Sequence, residues 1–546
     1  MSTPFAVRER HMGLICVGDG MFDMRAATGH FKVSPVVPFL TGAWGITMRR
    51  TIAYPSRFVA AASLLVAGCL SASARGEDWP QFRGPNCTGI SVSKLPLPTT
   101  FSETENLKWK APLGDGVGSP SIAAGRVFIS SMSGDAEVAL TAFDAKSGKQ
   151  LWQRKWPAGD LGDVHLTNSQ AATTPAADEK NVYFYFYTLG LITVDAATGA
   201  DRWKVELPVP YYVFKWGPGM SPILHGDQVI FCQDDDLSPA LYAFDRATGK
   251  LRWKDDRNDM CAGYSHPIIN TTPQGDELVV GGTGMLIGYD LATGRRKWFA
   301  RVLLRNIKTT PVSLDGVVYI SLQSGGIAKQ WIASIDQWQT NNRDGKVTRE
   351  ELQAFVGKRK VPEEFFERTF KRGDLNGDGA LEGAELDKAF LPPGNYAGAS
   401  HDAAEAADEY VLAVRGGGEG DVTKTHVLWR HKTKHTDHIV SPLVAGGRML
   451  LVKCGGIATC FSQEDGKLLW GPKRIENGGD YFASPIYGDG KIYVAGENGT
   501  VVVLKDAPEL EVLAKNTIDG SIVATPAIAD GRIYVRTREA LFCFGL

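Results

Sequence analysis

Two twelve-residue stretches carry the sharpest chemistry in the chain, because oxygen-bearing side chains recur in them at fixed intervals. Asp374-Leu375-Asn376-Gly377-Asp378-Gly379-Ala380-Leu381-Glu382-Gly383-Ala384-Glu385 puts side-chain oxygens at positions one, three, five, nine and twelve, and the Ala380 carbonyl at seven. Hard oxygen donors at that spacing wrap a cation of calcium's size, with Glu382 acting through water and Glu385 through both oxygens; Gly379 permits the sharp turn. Thirty-four residues upstream, Thr340, Asn342, Asp344, Lys346 (by its carbonyl), Thr348 and Glu351 repeat the pattern around Gly345. Thr340 stands where a carboxylate is usual, so this second loop is expected to hold calcium weakly or to serve as a structural companion.

The elements that must position these loops are helices. Phe366 and Phe370 precede the Asp374 loop and Leu386 and Phe390 follow it, all at helical spacing. The loops with these flanks resemble a paired EF-hand. In an exported protein, where calcium is abundant, such a pair would serve a structural or docking role rather than sensing.

Around this segment the chain repeats itself. Asp-x-x-Thr/Ser-Gly-x-x-x-Trp runs from Asp144 to Trp152, Asp195 to Trp203, Asp245 to Trp253 and Asp290 to Trp298, with degenerate copies ending at Trp429, Trp470 and Leu513. A proline stands ahead of each preceding apolar run: Pro120, Pro175, Pro222, Pro267, Pro311, Pro442, Pro485 and Pro526. The spacings are 55, 47, 45, 44, 131, 43 and 41 residues, and a period near 44 is one four-stranded propeller blade. Asp and Thr favour the turn, Gly supplies a left-handed position, and the hairpin delivers Trp to the outer strand. The last repeat ends at Leu546 one strand short, and Leu107-Lys108-Trp109-Lys110 is the strand available to complete it. The expected fold is therefore all-β: an eight-bladed propeller closed by an N-terminal strand, with a small helical insertion.

These repeats resemble the quinoprotein-type propeller with its tryptophan-docking motif, over about 107–327 and 409–546. The resemblance implies one of two very different activities: dehydrogenases using pyrroloquinoline quinone (PQQ), or the non-enzymatic lipoprotein propeller of outer-membrane assembly. A quinone enzyme of that kind implies an adjacent Cys-Cys pair, an aromatic platform, calcium ligands and a catalytic Asp. No Cys-Cys dipeptide occurs, and the repeat aspartates are turn residues, so PQQ is not expected. The excess in the 131-residue spacing, about 328–408, falls between second and third strands of blade five. It is expected over the mouth of the channel, on the face that carries the connections between blades.

Ahead of the repeats, 77–106 reads as an arm and 48–76 as a signal peptide. Arg49 and Arg50 precede the apolar run 58–70, and Ala72-Ser73-Ala74 fits a cleavage site. Residues 1–47 then read as an upstream extension from a mis-called start. Val66-Ala67-Gly68-Cys69 offers the competing reading of a lipid anchor at Cys69. Either way the product is exported, to the periplasm or the cell surface, with no membrane-spanning segment after processing. Without residues 1–76 the chain has 51 Lys and Arg against 58 Asp and Glu, a net charge of −7 with no basic stripe, which argues against a nucleic-acid partner. Six cysteines remain (87, 232, 261, 454, 460 and 543), too few for a disulfide scaffold and expected as buried thiols. Glycine at 61 of 546 residues suits many tight turns.

No catalytic residue is assigned. Ser119, Thr174, Ser221, His266, Thr310, Ser441, Ser484 and Thr525 precede the prolines, and His165, Trp216, Tyr264, Lys308, His435, His438 and Tyr481 lie near them. The functional reading is a polar pocket at the channel mouth; the plainer and preferred one is that scattered histidines and aromatics on long surface loops are ordinary. His426, His431, His435 and His438 lack the spacing of a metal site. The expected function is a calcium-binding, non-catalytic binding or scaffold module. It would use the insert-bearing face for a protein or small-molecule ligand. The alternatives are a PQQ-dependent oxidoreductase and an outer-membrane assembly scaffold.

Overall fold

The computed structural model describes residues 76–546, apart from 213–215, 261–262, 283, 302–307, 323–341, 343, 357–362, 391–408, 434–438 and 476–478. Each proline in the repeat opens a short inner strand, and three further antiparallel strands complete a sheet, giving eight such sheets. The protein is an all-β, eight-bladed propeller with few helices. Blades one to four span 121–157, 176–205, 223–256 and 268–301; blade five combines 312–322 with 409–433; blades six and seven span 443–474 and 486–517. Blade eight joins three strands of 527–545 to Leu107–Pro112, which pairs antiparallel with Ala540–Gly545 (Trp109 opposite Cys543).

The turn motif works between blades rather than within one. Asp245 caps its own turn by accepting the Thr248 N–H and hydroxyl (2.9 and 2.8 Å). The indole N–H of Trp203, one blade earlier, donates to the carbonyl of Arg246 in that turn (3.2 Å). Gly249 is left-handed (φ 70°), and a Cβ there would stand 2.6 Å from the Trp203 ring. Trp109, Trp152, Trp253 and Trp429 dock on the next blade in the same way, onto Ala145, Ala196, Leu291 and Gln463. Trp298 departs: its N–H donates to the buried Glu277 carboxylate (2.9 Å), while Gly420–Asp421 of blade five adds a fifth, parallel strand to blade four.

The residues before the prolines form a belt. The N–H of Ser119 donates to the Thr174 hydroxyl, that of Thr174 to Ser221, and that of Ser221 to His266 Nε2 (2.9, 2.9 and 3.1 Å). The chain of bonds runs on from His266 to Thr310, Ser441, Ser484 and Thr525. All eight side chains are buried. They stitch blades together at the heads of the inner strands.

The arm lies inside the ring. Trp79 pairs with Ile122 of blade one, Pro80 accepts the Ala177 N–H of blade two, and the Gln81 side chain accepts the Leu224 N–H of blade three. Asn86 exchanges two bonds with Ile269 of blade four (both 2.7 Å), and Ile90 lies beside Tyr487 of blade seven. Each contact satisfies main-chain groups that an innermost strand would otherwise leave unpaired.

Candidate functional site

In blade five the second strand, Val317–Leu322, pairs with the third, Glu409–Arg415, and 323–408 lies between them. Within it, helix Glu363–Gly373 leads into the Asp374 loop and helix Ala384–Phe390 leaves it; Arg349–Val356 follows the Thr340 loop. The two loops meet through a two-stranded ladder, with Val347 opposite Leu381. Phe365, Phe366, Phe370, Leu352, Leu381 and Leu386 form a small core of their own.

Inside the Asp374 loop the oxygens turn inward onto main-chain donors. Asp374 accepts the N–H of Gly377 and Gly379 (2.7 and 3.0 Å), Asn376 that of Asp378 (2.8 Å), and Asp378 that of Ala380 (2.9 Å). Glu385, only 7% exposed, reaches back to accept the N–H of Leu375, Asn376 and Glu382. Gly379 sits at φ 81°, the left-handed conformation its position demands. Glu382 pairs with Lys346 across the ladder (3.1 Å). The upstream loop repeats these contacts: Asn342 accepts from Asp344, Asp344 from Lys346, and Glu351 from Thr348 and Asn342. Thr340 lies outside the described residues. Among the described residues no three His, Cys, Asp or Glu side chains converge as a metal-holding group.

Among the described residues, the insert's contacts with the ring go to blade three. The Phe365 ring packs edge-on against Tyr211 (5.2 Å), and the Arg368 guanidinium donates to the carbonyls of Asp236 (2.9 Å) and Leu237. Arg372 donates to Asn258 (3.3 Å). These partners belong to loops on or beside blade three. Asp235 ties them together, accepting the N–H of Tyr211, Leu237 and Ser238 (2.9, 3.2 and 2.9 Å). Burial raises that carboxyl to about 7, against the bonds that favour its charged form.

On the same face the connections between blades bring together His165, Trp216 and Lys308. The imidazole stacks on the indole at 4.3 Å and the ammonium lies 4.5 Å from the ring. Burial, then the Lys308 charge, lowers the His165 pKa. Tyr264 instead stacks on Tyr212 (5.4 Å), and Tyr481 is fully buried in the core between blades six and seven. His435 and His438 fall outside the described residues. His426 ends a short helix and His431 lies on the outer strand Val427–Thr433. Cys87, Cys232, Cys460 and Cys543 are free, buried thiols, and no described helix is long and apolar enough to cross a membrane.

The family model described as outer membrane protein assembly factor BamB matches residues 99–212 and 174–365. The chain thus carries that type of repeat on a quinoprotein-like propeller. Polyvinylalcohol dehydrogenase from Pseudomonas sp is 27% identical over 181 residues, 31% of this chain and 26% of that protein. Outer membrane protein assembly factor BamB from Yersinia pestis is 22% identical over 255 residues, covering 43% of this chain and 61% of the other. The crystal structure of quinohemoprotein alcohol dehydrogenase from Comamonas testosteroni aligns at 13% identity with a TM-score of 0.46, over 87% of this chain and 81% of that one. The chain therefore spans less than two thirds of these two sequence relatives.

Sequence reasoning located the loops but not their seat. No spacing rule links Arg368 and Phe365 to blade three, and Phe365 also serves the insert's own core. The available signal was the aromatic cluster Tyr211, Tyr212, Phe214 and Trp216 in the connection to blade three, which does not by itself single out Tyr211.

Proposed function

We propose that this chain is an exported, non-catalytic scaffold whose insert-bearing face docks a partner, with calcium held in the Asp374–Glu385 loop. In this reading 48–76 is the signal peptide, 77–106 the arm, 107–327 with 409–546 the propeller closed by its N-terminal strand, and 328–408 the EF-hand pair. The observation that carries it is the clamp of Phe365 and Arg368 onto blade three. It fixes a calcium-type loop rigidly over one face, where it shapes a surface instead of swinging free. The polar residues at the heads of the inner strands are engaged in the belt, which fits a structural use of the ring.

Asp374, Asn376, Asp378 and Glu385 would supply side-chain ligands, Ala380 its carbonyl, and Glu382 a water-mediated contact. Calorimetric titration of the full chain tests this. One strong calcium site is expected, lost in Glu385→Gln; the absence of calcium binding, or binding unchanged in that variant, would retire it. Proteins that co-purify only without chelator would identify the partner. A protein of the outer-membrane assembly kind is the expected class, since the matched repeat carries that description.

A PQQ-dependent dehydrogenase is the second reading, favoured by the Trp216–Lys308 pair and the dehydrogenase among the relatives. Trp216 would carry the quinone ring and Lys308 a carboxylate, the quinone supplying hydride acceptance when bound. His165 already stacks on the indole, and the Cys-Cys pair is missing. Incubation with PQQ and calcium, followed by dye reduction with alcohols, decides: turnover lost in Trp216→Ala would make this the function.

A further inference from the structure

The seat of the insert is built around one carboxylate. Asp235 is completely buried. Among the described residues it touches no cation; its partners are the main-chain N–H groups of Tyr211, Leu237 and Ser238. Those residues make up the seat. Tyr211 and Leu237 pack against the core of the insert, and Arg368 of the insert donates to the carbonyls of Asp236 and Leu237. Insert and carboxylate therefore grip the same short loop.

The surrounding groups leave the charge of Asp235 unbalanced. On its own segment, Asp234 is paired with the buried Arg257 (2.7 Å), and Asp236 adds a second negative charge nearby. From the ring come Tyr185 of blade two, Tyr212 of the connection and Tyr242 of blade three, all kept neutral by burial. From the insert comes Arg368, already spent on the two carbonyls. Burial thus outweighs the three N–H bonds and lifts the carboxyl to about 7. The neutral form also has an acceptor at hand. Ser238, whose N–H meets Asp235 Oδ1 (2.9 Å), carries a buried hydroxyl with no partner among the described residues.

Freed of the insert, this loop loses the cover of Phe365 and Arg368. Water then reaches the carboxylate and returns it toward its ordinary value of about 3.9. A group that holds its proton more tightly in one state makes the proton a ligand of that state. We propose that seating of the insert takes up one proton at Asp235, so that the clamp tightens as pH falls and loosens as pH rises. The link rests on the clamp itself and needs neither calcium nor a partner. Its sign and window follow from the two protonation states. Between about 4 and 7 the seated form is protonated and the freed form ionised, so each pH unit upward weakens seating by up to about tenfold. Above 7 both forms are ionised and the dependence ends.

Amide exchange of the full chain tests this. The Asp236 N–H reports opening of the seat without touching the carboxylate, because it donates to the Tyr211 carbonyl (2.8 Å). Corrected for the intrinsic rate, its exchange should rise by up to about tenfold per pH unit from about pH 5 to 7 and level off above. The rise should be absent in Asp235→Asn and in Phe365→Ala combined with Arg368→Ala. A flat profile in the unaltered chain would overturn the link. So would a rise kept in full by the clamp-free variant, which would assign the proton to the ring and not to the clamp. Should Asp235→Asn fail to fold, the unaltered chain and the clamp-free variant decide between them.

Discussion

At the scale of single residues, the belt shows how one substitution brings in a proton. Seven of its eight members offer a hydroxyl; His266 offers Nε2 to the Ser221 N–H and must stay neutral to do so. Burial first, and Arg83 second, lower it to about 3, whereas the unfolded chain protonates it near 6.5. The depressed pKa means its contribution is intact above about 6.5 and is lost as pH falls toward 3. His266→Ser should therefore flatten the pH dependence of the denaturation midpoint in that window, by up to about 1.4 kcal/mol per pH unit. A second residue-scale test separates backbone from packing. Gly249 and Gly125 share the left-handed conformation (φ 70° and 72°), but only Gly249 lies against an indole; nothing stands within 4 Å of the Gly125 position. Gly125→Ala should cost roughly 1 kcal/mol and Gly249→Ala about 2–4, measured as urea midpoints.

At the scale of elements, the recurring hairpin was legible because it obeys local rules: a capping Asp, a left-handed Gly and a Trp at fixed spacing. Its partner was not, because the indole reaches the next hairpin, some 45 residues on, and no local propensity records that. The insert behaves likewise. Its two loops stand out by the spacing of their oxygen-bearing residues, yet its seat depends on Arg368 meeting two carbonyls of a loop more than a hundred residues earlier in the chain. Arg368→Ala together with Phe365→Ala should free the insert without unfolding the ring. Amide exchange at Leu237 and Ser238 should rise at least about tenfold, while exchange in blade six stays unchanged. Equal exchange in both proteins would mean the clamp carries no weight.

At the scale of the whole molecule, the eight-fold repeat set the architecture, and the prolines counted it correctly. What they could not show is the filling of the ring. Residues 77–91 have no repeat signature and little periodicity, since they follow the inner strands of successive blades instead of forming an element of their own. Deleting them should remove the bonds to Ala177, Leu224 and Tyr487 and expose the pocket of the fully buried Trp79. A loss of roughly 5 kcal/mol or more is expected, read as a lower unfolding temperature. No loss would mean the arm merely decorates the ring.

The pairing of Leu107 with Phe544 joins positions more than four hundred residues apart, and this has a consequence in time. During synthesis the first strand is finished long before its partner exists. It must wait, unpaired, until Ala527–Gly545 has emerged and turned back toward it. Assembly of the ring is thus committed last at its seam, and that late, long-range step should govern the refolding rate. A chain shortened by that final segment would hold its opening strand in readiness for a neighbour that never arrives, and so for the matching strand of another molecule.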